Sequence, residues 1–321
     1  MKVIDFESVR NAAKAMDPAV WCDWVDDALR HKAEFACPPK PKISQADGDY
    51  FNVMPAMYEP DNVAMVKMIG RHADRGRVPR SVMMGDMLIY EADTGILKAV
   101  MDAEYITTLR TGAVAAHSAL LFGKKNFSTI GLVGLGNIMT VCFETLLAKM
   151  KAEGQARELT VKLYNHHGQE ERFAERFRDE GNVHFAFCDT YDEVFYGSDV
   201  IISAVTKTAQ NFAEDDCFGE GVTVIPICTM GFQNCDLFFD KVFTDEIEQI
   251  RGFKYFDKFR SLANVTDVLN GNREGRTNDQ ERILVYNYGI AIHDLYFAIK
   301  LMDEAEGKEV EYDFCKEKYF M

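Results

Sequence analysis

The chain has 321 residues, 47% hydrophobic and 27% charged, a balance that excludes a disordered polypeptide and leaves room for two domains. Its formal net charge of −15 argues against nucleic acid as a partner, because a duplex-binding protein presents a basic face, and against docking on an anionic membrane. No apolar run is long enough to span a bilayer, MKVIDFESVR reads as no secretory signal, and the eight cysteines are scattered without a CxxC pair. The expectation is a cytoplasmic protein with reduced thiols and no metal.

In chain order, residues 21–35 have the period of an amphipathic helix, which Pro38, Pro39 and Pro41 break. Stretches 50–57, 63–69, 81–91 and 97–101 read as strands, with Asp93-Thr94-Gly95 as a hairpin turn. Residues 105–122, rich in Ala and Leu, read as helix. From residue 129 strands (129–133, 158–164, 183–187, 199–205, 222–227, 241–244) alternate with helices (138–151, 169–179, 191–196). Such alternation predicts an α/β fold with a parallel sheet covered on both faces. A last long helix is expected over 284–305, with Gly289 inside it or at its start, returning the chain to the first domain.

The segment STIGLVGLGNIM runs a strand into Gly134-Leu135-Gly136 and then a helix. Gly134 permits a tight turn, Gly136 leaves the approach of a pyrophosphate open, and the amides at Asn137 and Ile138 face the anion. Met139 stands where a third glycine is usual, a departure expected to loosen or shift the helix–strand packing. The next strand ends in Tyr164-Asn165-His166-His167, with no carboxylate for the ribose 2′-hydroxyl of NAD. Asn165 suits a ribose; His166 and His167 suit a 2′-phosphate, and equally suit an exposed loop. The cofactor read here is NADP or NAD.

DTGILKAVMDAEYITTLRTGAVAA followed by IGLVGLGNIM, then SDVIISAVT and VYNYGIAIHDLYFAI, resembles the ornithine cyclodeaminase/μ-crystallin family over roughly residues 40 to 305. The resemblance implies a Rossmann-type domain inserted in a mixed α+β substrate-binding and dimerisation domain formed by both chain ends. The boundaries expected are 1–118 plus 283–321 for the outer domain and 119–282 for the Rossmann domain. It implies a homodimer, and hydride transfer between nicotinamide and the α-carbon of a small amino or imino acid.

The resemblance assigns Arg110 to the substrate carboxylate, and a guanidinium does offer paired donors to two oxygens; the alternative is an ion pair within its own helix. It sets Thr111 near the cofactor phosphates and adds Val205, Thr206 and Asp294 to the cofactor-binding residues, Asp294 having a structural helix role as its alternative. Lys67 matches the family's substrate lysine. Alternation puts Val63, Met65, Lys67 and Ile69 on one face, so Lys67 is expected inward, where burial would favour proton transfer, rather than on the solvent face. Lys42 falls where cyclodeaminases carry a second carboxylate-binding Arg, although a surface lysine explains it equally.

In VTVIPICTMGFQNCDLFFD, Met230 stands where cyclodeaminases place a catalytic aspartate, with Asp236 as a substitute if the alignment slips. A thioether cannot take a proton from an amine, so the resemblance favours an imine reductase or amino-acid dehydrogenase. The rivals are a redox-neutral ornithine or lysine cyclodeaminase, and a protein that binds NADPH or a small ligand without turnover. The basic run Arg71, His72, Arg75, Arg77 and Arg80 reads as a solvated loop or as a site mouth.

Overall fold

A computed structural model describes residues 1–46, 48–71, 83–206, 208, 211–227 and 238–315. The first half of the chain forms β1 (Lys2–Ile4), α1 (Phe6–Lys14), α2 (Ala19–Arg30), β2 (Phe35–Ala36), β3 (Lys42–Ser44), β4 (Tyr50–Tyr58), β5 (Val63–Arg71), β6 (Met83–Glu91), β7 (Leu97–Asp102) and α3 (Glu104–Phe122). There follow β8 (Thr129–Val133), α4 (Asn137–Ala152), β9 (Leu159–Tyr164), α5 (Gln169–Arg176), β10 (Val183–Cys188), α6 (Tyr191–Phe195), β11 (Val200–Ser203), β12 (Thr223–Pro226) and β13 (Lys241–Thr244). The chain continues through α7 (Ile247–Ile250), β14 (Ala263–Asn264), α8 (Val265–Leu269), β15 (Ile283–Tyr286), α9 (Ala291–Met302) and β16 (Lys308–Glu309).

Contacts divide the chain into one unit of Met1–Met16, Ala33–Thr107 and Ala291–Met321, and another of Asp17–Lys32 and Thr108–Ile290. The first is built on a sheet ordered β16-β1-β7-β6-β5-β4-β2, with β3 also on β4. The long strands β4 to β7 are antiparallel neighbours, the arrangement that short connections allow, whereas β1 joins β7 in parallel. Alternation sends Met65 and Ile69 of β5 and Met87 and Ile89 of β6 to a buried face, across which α9 packs on β4 and β5.

The second unit holds a fully parallel sheet ordered β10-β9-β8-β11-β12-β15-β13-β14. Its central strands β8, β11, β12 and β15 are almost wholly buried, as near-continuous apolar runs require when helices cover both faces, whereas β9 and β10 toward one edge are only partly so. The order reverses at β8, where the connection to β11 departs from the side already holding β9 and β10; an open α/β sheet places its crevice at such a reversal.

Several segments differ from the sequence expectation. The helix expected over 284–305 is instead strand β15 followed by α9, because Ile-Leu-Val-Tyr adds a buried strand and Gly289 adopts φ +83°, which ends any continuous helix. Residues 17–32, 108–118 and 283–290 group with the parallel-sheet unit, although the expected boundaries put them with the outer domain. The apolar side of α2 (Trp21, Cys22, Val25, Leu29) is buried and packs on α4, and Lys149 of α4 pairs with Asp23.

Candidate active site

In the first unit, Lys67 has no exposed surface and points inward with Met65 and Ile69, as the alternation of β5 requires. Its Nζ donates to Asp294 Oδ1 at 2.7 Å and to Thr107 Oγ1 at 2.6 Å. The Thr107 hydroxyl donates in turn to the Ala103 carbonyl, which leaves its oxygen oriented to accept from the lysine. A buried ammonium is tolerable only against an opposite charge. Asp294, on the first turn of α9 and equally buried, provides it. Lys42 is exposed on β3, its ammonium 4.2 Å from the Tyr50 ring centroid.

Asp102, which the sequence reading passed over, precedes α3 and accepts the Tyr105 N–H at 2.8 Å. Burial raises its carboxyl to about 6, with Glu104 and Asp86 adding to the rise against the backbone hydrogen bonds of Tyr105 and Glu104. An Asp just ahead of an apolar helix is itself a capping signal.

In the second unit, α3 carries Arg110 and Thr111, both buried. The Thr111 hydroxyl has no hydrogen-bond partner among the described residues. Beside it, a Cβ on Gly112 would stand 2.7 Å from the Cys142 amide nitrogen and 2.8 Å from the Ile138 carbonyl, so α3 touches the first turns of α4 backbone to backbone. The close approach is therefore made by a glycine on α3, while Met139 on α4 is fully buried rather than a source of loose packing.

Strand β8 delivers Gly134 at φ +80°, where a Cβ would lie 2.6 Å from the Ala204 carbonyl carbon and 2.7 Å from the Val205 nitrogen. Only glycine fits that turn. Gly136 is the N-cap of α4; no side chain caps the helix, and a Cβ at Gly136 would meet nothing within 4 Å. The amides of Asn137 and Ile138 thus open a 16-residue helix whose N-cap, a glycine, makes no side-chain cap bond. Thr206, just past β11, is exposed and Val205 half-buried.

At the end of β9, Asn165 donates to Asp189, and the His166 N–H donates to Glu170 Oε2 at 2.8 Å, a bond that holds the Glu170 carboxyl below its usual range. The His166 and His167 rings are exposed, 4.3 Å apart, and Arg172 donates to the His167 carbonyl at 3.4 Å. The structure brings Lys67 together with Asp294, Arg110 next to Thr111, and Gly134 against Val205. Met230 and Asp236, and with them His72, Arg75, Arg77 and Arg80 of the basic run, lie outside the described residues. Besides Asp102, sequence reasoning missed Thr107, which stands a turn before Arg110 within the recognised segment, a signal that was available.

A parallel sheet that reverses order at a strand–glycine–helix turn makes this a Rossmann-type α/β protein. The pattern defining the Ornithine cyclodeaminase/mu-crystallin family matches residues 5–309, and the chain belongs to that family. It is 26% identical over 280 residues to the nodulation efficiency protein NfeD of Rhizobium meliloti, covering 85% of each chain. An archaeal alanine dehydrogenase dimer with bound NAD shares the fold with a TM-score of 0.85 at 21% identity, over 98% of this chain and 99% of that one. Thermococcus litoralis Delta(1)-pyrroline-2-carboxylate reductase, in complex with NADH and L-proline, gives 0.84 at 17% identity, over 97% and 100%. Among the described residues no helix is long and apolar enough to cross a membrane.

Proposed function

We propose that the chain is an NAD(P)-dependent oxidoreductase acting on the α-carbon of a small amino or imino acid, as an imine reductase or amino-acid dehydrogenase working as a homodimer. The observation that carries this reading is the content of one face of α3. Thr107, which holds the buried lysine, Arg110, a buried guanidinium, and Thr111, an orphaned buried hydroxyl, recur there at helical spacing. The names of the solved relatives, an alanine dehydrogenase and a pyrroline-carboxylate reductase, support the same class.

The residues fit a dinucleotide. The open face of Gly136, the uncapped amides at Asn137 and Ile138 and the unsatisfied Thr111 hydroxyl suit a pyrophosphate. Asn165, His166, His167, Val205 and Thr206 would complete the binding set. When bound, the nicotinamide would supply or accept the hydride. Arg110 holds the substrate carboxylate by two parallel hydrogen bonds. Lys67, fixed by Asp294 and Thr107, holds the proton that accompanies reduction at the imine nitrogen. Asp294 serves that lysine, whatever contact it also makes with cofactor.

The test is nicotinamide absorbance with NADPH or NADH and a panel of cyclic and linear imino acids. Oxidation that depends on the imino acid is the expected result, and Arg110→Ala should lower kcat/KM by about 10- to 100-fold, the loss of a charge-assisted pair. A flat trace, with ammonia released from ornithine at no net cost in NADH, would instead establish a cyclodeaminase.

A further inference from the structure

The guanidinium of Arg110 lies against a bare α-carbon. A Cβ built on Gly289 would stand 2.7 Å from Arg110 Nη1, 3.4 Å from Nη2 and 3.5 Å from Cζ. The outer end of that fork is thus close to one residue, and the nearest approach is possible only because the residue has no side chain. Gly289 also sits at φ +83°, a conformation glycine adopts freely and alanine does not.

That glycine is held from two sides. Asp245, at the end of β13 and 2% exposed, accepts the Gly289 N–H at 2.6 Å through Oδ2 and the Tyr288 N–H at 3.3 Å through Oδ1. Asn287 donates from Nδ2 to Ser118 Oγ at 3.0 Å, and Ser118 stands about two turns beyond Arg110 on α3. The 287–289 turn is therefore tied both to β13 and to the helix that bears the arginine. Asp245 is further steadied by the Thr244 hydroxyl at 3.4 Å, and its carbonyl accepts from Lys32 Nζ at 2.7 Å. A buried carboxylate is expensive unless its hydrogen bonds are made, and here those bonds fix a backbone turn.

We infer that Gly289 and Asp245 are positioning residues: Gly289 is the flat wall that limits the rotamers of Arg110, and Asp245 sets where that wall stands. The inference rests on Arg110 being the carboxylate ligand. Arginine carries a large rotamer entropy, and a wall that removes the unproductive rotamers spares substrate that cost on binding. Displacing the fork should weaken carboxylate binding while leaving the chemical step nearly untouched.

The experiment takes the full chain as wild type, Gly289→Ala, Asp245→Asn and Arg110→Ala, and reads three quantities: the Arg110 guanidinium in crystal structures, KM against kcat for the imino acid picked from the panel, and the NAD(P)H dissociation constant by fluorescence. In Gly289→Ala the guanidinium should leave its position and KM should rise about tenfold with kcat within about twofold. Asp245→Asn, which keeps the shape but gives up one acceptor, should raise KM by a smaller factor in the same direction. Cofactor affinity should not move in either. A general loss of folding would instead lower kcat and cofactor binding together, and Asp245→Asn guards against that outcome in the glycine variant. If Arg110→Ala is impaired but Gly289→Ala and Asp245→Asn keep both the guanidinium position and KM, the positioning role is wrong and the carboxylate role of Arg110 stands. If Arg110→Ala behaves as wild type, or the wild type turns over no imino acid, the functional reading fails, while the crystal structures still decide whether the wall sets the arginine.

Discussion

At the scale of single residues, the most constrained group is the Lys67–Asp294 pair, both members fully buried and 2.7 Å apart. Removing one partner leaves a charge stranded in an apolar interior, whereas removing both with well-packed apolar residues does not. Asp294→Leu alone should therefore cost about 3–5 kcal/mol of stability, and Lys67→Met with Asp294→Leu should recover most of it. Denaturant unfolding of the singles and the double measures this directly. The double variant should nevertheless be inactive if Lys67 holds the reacting proton, so a stable, active double variant would contradict that role.

Asp102 makes a second residue-scale prediction, with the opposite pH logic from a salt-bridged acid. Its carboxyl stands at about 6 in the fold against an ordinary 3.8, so the fold disfavours the charged form. The stability associated with its proton is complete below 3.8 and is lost as pH rises through about 6. Asn keeps the capping oxygen without the charge. Asp102→Asn should thus match wild type in Tm near pH ~4 and exceed it near pH ~8. A pH-independent difference would mean that the fold does not disfavour the charged form of this carboxyl.

At the scale of elements, the helix pair α3 and α4 is set by one missing side chain. Gly112→Ala would drive a Cβ into the Cys142 nitrogen and the Ile138 carbonyl, both backbone, where no side chain can swing away. The helices must separate, at a cost of about 1–3 kcal/mol or more, and the first turn of α4 must shift with them. Weaker dinucleotide binding should accompany the lower Tm, and unchanged binding would separate that helix end from the cofactor. Gly112 lies inside TLRTGA, so the segment that identified the family also holds this contact, although its partners on α4 could not be read from it. The strands β4 to β7 and the β8–α4 turn were legible because period-two alternation and a glycine turn are local signals. The short strands β1 and β16 were not, since three and two residues carry no period and exist only through pairing with each other and with β7. The Ile283–Tyr286 strand failed for a related reason: a run of four apolar residues fits a buried strand and a helix end equally, and only its place beside β12 and β13 decides. The same holds in the candidate site. The inward face of Lys67 was readable, but its partner lies 227 residues away and Asp245 binds backbone amides, which no spacing announces.

At the scale of the whole molecule, the proposed homodimer meets an electrostatic obstacle. Each copy carries a formal charge of −15, so two copies repel unless an apolar surface outweighs the repulsion. The sheet of the first unit has a largely apolar exposed face, with Asp86 opposite Met68 as its charged member. Val66 and Met68 on β5 and Met84 and Leu88 on β6 are 36–44% exposed, and Val66 faces Leu88 directly across the strand pair. Apolar side chains gathered on one sheet face are the kind of patch that associates in water. A second copy of this chain is the occupant proposed. The wild type should then run in light scattering at twice the 36.4 kDa chain mass. Salt should strengthen the assembly, because screening weakens the repulsion between the copies while the apolar term persists. Val66→Glu with Leu88→Glu adds charge on both sides of the proposed contact and should yield a monomer that still binds NAD(P)H, since the residues proposed for the cofactor belong to the other unit apart from Asp294. A doubly substituted chain that remains dimeric would move the interface elsewhere, and a wild type that is monomeric at every salt concentration would remove the homodimer from the proposed function.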